Sequence, residues 1–140
     1  MGTTALGGHV TSQTVVAAQL ATATEAANGV LATISVPTDA RILDVILEVT
    51  DMDSGIAGLV DVGDASGPTV PDDNRFIAAF SIQAAGTIRA SDSAGLLEGT
   101  YLYVASDSAR NEQEIECTVN TPSTTGVAGT ITMTVIYVRG

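Results

Sequence analysis

Lysine and tryptophan are absent from this 140-residue sequence, cysteine and histidine occur once each, and aromatic residues make up only 4% of it. The lone Cys117 excludes an internal disulfide and any multi-cysteine zinc site, and His9 as the only imidazole excludes a histidine cluster. No apolar run approaches the roughly 18 residues that span a bilayer. The opening Met1-Gly2-Thr3-Thr4 lacks the charged and apolar regions of a secretion signal. Met1-Gly2 starts an N-myristoylation pattern, but Leu6 stands where Ser or Thr is required. The expectation is a soluble protein made in the cytoplasm.

Sixteen acidic residues oppose five arginines, a formal net charge of -11. Phosphate backbones are neutralised by clustered Lys and Arg, so nucleic acid and anionic membrane are not expected partners. The length suits one domain, and 45% apolar residues with few aromatics call for a core of Val, Ile, Leu and Ala.

Residues Met1 to Gln13 are small, polar and Gly-rich, and read as an N-terminal arm ahead of one domain over 14–140. Residues 14–27 hold Ala for a helix and Val and Thr for a strand, and the pattern does not decide between them. Asn28-Gly29 signals a turn. Period two then recurs: Val30, Ala32, Ile34 and Val36; Leu43, Val45, Leu47 and Val49; Phe76, Ala78, Phe80 and Ile82; Ile115, Cys117 and Val119; Ile131, Met133, Val135 and Tyr137. Shorter runs cover Leu59–Val62, Thr87–Arg89 and Tyr101–Val104, and an irregular loop is expected over 65–74. About eight short strands separated by turn residues predict an all-β antiparallel sandwich of jelly-roll type. Its connectivity is not readable from the pattern, since an immunoglobulin-like Greek key would look alike.

Chemistry is sparse. His9 lies in the arm, too loosely held to serve a nucleophile. Cys117 alternates with Ile115 and Val119 and reads as core. Asp53-Ser54-Gly55 matches the short element of aspartic proteases, and a dimer could pair two such carboxylates. However, Asp51 and Met52 do not form the apolar run expected before it, so a turn is the preferred reading. Asp51 to Gly55 also begins like a calcium loop, with its glycine one position early and no closing Glu. A looser cation site at Asp61, Asp64, Asp72 and Asp73 is outweighed by a solvated acidic loop. Gly58 to Gly67 has neither the spacing nor the lysine of a phosphate loop. No cofactor and no metal are expected, and a dimeric protease around Asp53 is a remote alternative.

Leu59-Val60-Asp61-Val62-Gly63-Asp64, then Asp72-Asp73-Asn74-Arg75-Phe76-Ile77, and the closing Ala128-Gly129-Thr130-Ile131-Thr132-Met133-Thr134-Val135-Ile136-Tyr137-Val138 resemble small head proteins of tailed double-stranded DNA bacteriophages, most of all their jelly-roll decoration, or cement, proteins. The likeness runs from about Asn28 to Val138. It implies a structural, non-enzymatic virion protein, made in the host bacterial cytoplasm. Such a protein binds the outer surface of the major capsid protein shell and stabilises the expanded head against DNA pressure.

The acidic charge suits an exterior position away from packaged DNA. Interface candidates are Met1, Gly2, Thr3, Thr4, Leu6, His9 and Val10 of the arm, which could add a strand to a neighbouring sheet edge, and Asp72, Asp73, Arg75 and Phe76. Arg75 is either a bidentate anchor for a partner carboxylate or an internal partner of Asp72 or Asp73. Self-association as a dimer is favoured over a trimer. The alternative role is a tail or baseplate accessory or receptor-binding β module, for which the chain has few aromatic platforms.

Overall fold

A computed structural model describes residues 10–19, 29–37, 40–53, 55, 58–64, 72–92, 101–102, 112–123 and 125–139. They form nine strands: β1 (Val10–Gln19), β2 (Val30–Pro37), β3 (Ala40–Val49), β4 (Leu59–Asp64), β5 (Asp72–Ser81), β6 (Gly86–Arg89), β7 (Tyr101–Leu102), β8 (Glu112–Thr121) and β9 (Gly129–Arg139). A single 3₁₀ turn, Ala90–Asp92, is the only helical element among the described residues.

The strands build two antiparallel sheets. The first runs β1-β9-β3-β6, with the short β7 also paired to β3; the second runs β2-β8-β4-β5. The pairings are nested: β1 with β9, β2 with β8, β3 with β6 and β4 with β5. A chain folded back on itself as one long hairpin and then rolled into two layers gives this order, which is the jelly-roll connectivity. The all-β sandwich expected from the period-two runs is therefore present.

The period-two residues explain the core. Ile131, Met133, Val135 and Tyr137 of β9 are buried, and Thr132, Thr134 and Ile136 between them are half-buried on the outer face. They pack with Ile42, Val45 and Leu47 of β3 onto Ile34, Val36, Val60, Val62, Ile115 and Cys117 of the other sheet. Phe76 is the largest fully buried side chain among the described residues, and with Tyr137 it supplies the buried aromatic rings of a mainly aliphatic core. Burial of each such side chain contributes about 1.5–3 kcal/mol relative to exposure.

Bulges correct several sequence expectations. The β3 register slips between Ile42 and Asp44, so Ile42 and Val45 both face inward and Leu43, expected on the core face, is half-buried. The β4–β5 register slips between Val60 and Val62. That slip accommodates an extra residue at Ala78-Ala79, where Ala79 adopts φ 53°. Strict alternation in β5 is lost: Phe76 and Ile77 are both buried, and Ala78 is exposed. Asp72 to Asn74, expected in a loop, begin β5. Val10 to Gln13, expected in the arm, begin β1, and the undecided segment is strand as far as Gln19; Met1 to His9 and residues 20–28 lie outside the described residues.

Candidate functional site

Asp53 and Asp61, which looked available for chemistry, are engaged in holding the backbone, and so is Asp44. Asp53, buried at the end of the β3 connection, accepts the N–H of Gly55 (2.7 Å), Gly58 (2.8 Å) and Thr125 (3.2 Å). Asp53 also bridges to Gly126, and Met52 on one side of it is tied to Ile82 and Val127. This is the Asx-type corner expected of Asp-Ser-Gly, drawing the starts and ends of four strands together. Gly58 has no room for a side chain: a Cβ there would meet Ile82 Cγ1 at 2.7 Å and Asp53 Oδ2 at 2.9 Å.

Asp61 is buried within β4 and accepts the Ala79 N–H at 2.7 Å and the Asn120 side-chain amide at 3.1 Å. Registers slip on both sides of β4, at Ala78-Ala79 in β5 and at Asn120 in β8. One carboxylate thus secures the two bulges that flank its strand. Asp44 acts similarly at the β3 bulge. Its oxygens accept the N–H of Val45 (2.9 Å) and Ser91 (3.1 Å), the Ser91 hydroxyl (3.0 Å) and the Arg89 guanidinium (3.3 Å). These roles were not anticipated from the sequence. The signal was an acidic residue inside an apolar strand, a position Asp ordinarily avoids.

The Asp61, Asp64, Asp72 and Asp73 cation site has no support from Asp61, whose oxygens already face donors, and no metal-ligating cluster occurs among the described residues. Cys117 is fully buried; burial first, and then the charge of Asp61, push its thiol up to about 12. A thiolate nucleophile is disfavoured there.

The outer faces of the two sheets differ in chemistry. On the first sheet, β1 presents Val10, Ser12, Thr14 and Val16, cross-strand from Val138, Ile136, Thr134 and Thr132 of β9. The Thr14 and Thr134 hydroxyls lie 3.0 Å apart. On the second sheet, Glu114 and Glu116 of β8 face outward beside Ser35 and Thr33 of β2. Burial, and then the neighbouring Glu114 charge and hydrogen bond, raise the Glu116 pKa above its ordinary value. The β1–β9 part of the first face is thus rich in Thr, Val and Ile, while β3 and β6 place Asp44, Glu48 and Arg89 farther across it, and the second face carries Glu114 and Glu116.

The predicted interface residues do not converge. Val10 stands exposed at the start of β1, the edge of the first sheet. Asp72 and Asp73 open β5, the edge of the second sheet on the opposite side, with Asp72 across from Asp64. Arg75 is half-buried and partnered. Phe76 is fully buried, a correction to its reading as a contact residue, because its ring fills the core. Met1, Gly2, Thr3, Thr4, Leu6 and His9 lie outside the described residues.

No protein-family model matches the chain, and no curated protein sequence matches it. Solved structures do. A chain of the cyanophage Pam1 capsid asymmetric unit aligns over 96% of this chain and 88% of its own length, with a TM-score of 0.69 and 20% identity. A chain of the capsid of Ralstonia phage GP4 aligns over 96% of this chain and 86% of its own, with a TM-score of 0.67 and 26% identity. The structural neighbours are phage capsid proteins, and the chain has a phage head-protein fold.

Proposed function

We propose that this chain is a structural phage capsid protein of the decoration, or cement, kind: it sits on the outer surface of the major capsid protein shell, associates there with itself, and stabilises the expanded head. It carries out no reaction. The observation that carries the reading is the likeness to a chain of the GP4 phage capsid, which spans 96% of this sequence and 86% of that chain.

The side chains agree with a passive role. Asp53, Asp61 and Asp44 are committed to backbone donors and Cys117 is buried, so the conspicuous polar groups maintain shape. A net charge of -11 favours the exterior, away from packaged DNA. The Thr, Val and Ile-rich β1–β9 part of the first sheet's outer face can lie on protein, while the Glu114 and Glu116 face suits solvent. Residues 1–9 are the proposed strap to the shell.

The test is co-sedimentation of purified chain with heads stripped of it, before and after expansion. Saturable binding to expanded heads, weakened by removing residues 1–9, is expected. Binding to isolated tails instead of heads would transfer the protein to the tail or baseplate role.

A further inference from the structure

The sides of the sandwich differ more than its faces do. β1, the edge of the first sheet, lies over β2, the edge of the second, and Gln13 joins them by donating to Ser35 O at 2.9 Å and to the Tyr137 hydroxyl at 3.1 Å. β1 reads VTSQTVVAAQ and β2 reads VLATISVP, so neither edge strand contains a charged residue. The opposite side carries Asp72, Asp73 and Arg75 on β5 and Arg89 on β6.

β1 also lacks the features that ordinarily prevent edge pairing. It has ten residues, no proline, no charge, and an unbroken register with β9 from Val10 to Gln19. Sheet edges in stable monomers are blunted by lysine, proline, bulges or short length. Val10 and Val16 are 66% and 65% exposed, and Val30 at the start of β2 is 52% exposed. Three of the four exposed large apolar side chains among the described residues therefore lie on this one side; the fourth is Val127.

Val10 and Val16 stand three residues either side of Gln13. We propose that the β1 edge is a homotypic docking site, on which β1 of a second copy pairs antiparallel about a two-fold axis at Gln13. In that register Val10 faces the partner's Val16, Ser12 faces the partner's Thr14, and opposite residues share one face of the joined sheet. The exposed valines cover each other, and the first sheets of the two copies become continuous across the pair. Charge selects the same occupant. Two chains each carrying -11 repel over most of their surface, and the β1 and β2 side is where they can approach without opposing carboxylates. Glu114 and Glu116 lie one strand inward, on β8, so added salt strengthens the pairing by screening.

The inference deepens the self-association within the proposed function and rests on that reading for its setting on a shell. Its test uses the purified full chain in solution, so its failure is distinguishable from failure to bind heads. Light scattering after size exclusion should show a concentration-dependent doubling from 14.1 kDa, promoted by salt. The exposed-site variant Val16→Glu should restore the monomer with an unchanged circular dichroism spectrum. The double variant Val10→Cys/Val16→Cys should oxidise to a covalent dimer, while Val10→Cys alone should not, because the two copies of position 10 lie on opposite sides of the axis. A monomer at all concentrations, equal cross-linking by the single variant, or dimers that appear only after residues 1–9 are removed would each overturn the proposal; the last would assign the edge to the chain's own N-terminal segment.

Discussion

The Asp61 carboxylate accepts the backbone N–H of Ala79 at 2.7 Å, and Ala79 sits at φ 53° in the bulge that this bond secures. A left-handed alanine is strained by about 1–2 kcal/mol, so the carboxylate holds a conformation that the side chain at position 79 opposes. Ala79→Gly should raise stability by about 0.5–1 kcal/mol, the relieved strain less the added chain entropy of glycine. Asp61→Ala should lower it by about 2–3 kcal/mol, as expected for lost hydrogen bonds to a charged group. Denaturant unfolding of both single variants and the double variant checks this. A double variant no different from the sum of the singles would separate the carboxylate from the bulge.

At the Asp53 corner, three backbone donors depend on one side chain. Asp53→Ala should therefore lose about 3 kcal/mol in urea unfolding, since the buried Gly58 N–H and the two partly buried donors are left without this acceptor. Asp53→Asn, which keeps one carbonyl oxygen, should lose less. Any proteolysis observed with the parent protein should persist in Asp53→Asn, because both oxygens of this carboxylate already accept backbone N–H groups.

Glu116 titrates with a folded-state pKa raised from 4.5 by burial and by Glu114. The folded protein therefore holds this proton more tightly than the unfolded chain. Stability contributed by this group is fully present below pH 4.5 and is lost as pH rises through the raised folded value. Glu116→Gln removes that loss, so it should stabilise the protein at pH 7, with the advantage vanishing below pH 4.5. Thermal melts at both pH values decide it; an equal gain at both would trace the effect to packing.

Thr118 is buried, and its Oγ1 has no hydrogen-bond partner among the described residues. An unpaired buried hydroxyl costs about 1 kcal/mol or more. Replacement by the isosteric Val should accordingly raise stability by about 1 kcal/mol, read from the urea midpoint at constant slope. Destabilisation would mean that the hydroxyl has a partner.

Cys117 should stay unmodified by a neutral-pH thiol reagent in the native state and react fully in denaturant, because burial holds its thiol at about 12. Rapid native labelling would show that the core opens.

Much of this fold was legible because both sheets bury one side each and leave the other exposed. In β9, Ile131, Met133, Val135 and Tyr137 alternate with Thr132, Thr134 and Ile136, and the buried set follows a period of two. The sequence pattern failed where one extra residue re-aims a strand. Leu43 looked inward until the bulge at Asp44 turned it, and Ala78 looked buried until the bulge beside Ala79 exposed it. Bulges are secured by distant partners, Asp61 for Ala79 and Ser91 for Asp44, and such pairings have no local periodicity to betray them. The Asp53 turn was readable because its partners Gly55 and Gly58 lie two and five residues away. Strand order was not, since nested pairing depends on contacts between the chain's two ends. For the surface, the sequence singled out Phe76 by its likeness to a motif, and its ring belongs to the core. The uncharged side formed by β1 and β2, which follow one another in the chain, emerges only from the strand order that makes each of them a sheet edge.

The most direct test of the capsid reading is the copy number of this chain in purified particles of its source phage, by quantitative mass spectrometry against the major capsid protein. A near-stoichiometric ratio is the predicted result. A handful of copies per particle would place the protein elsewhere in the virion, and its absence from the particle would contradict the account.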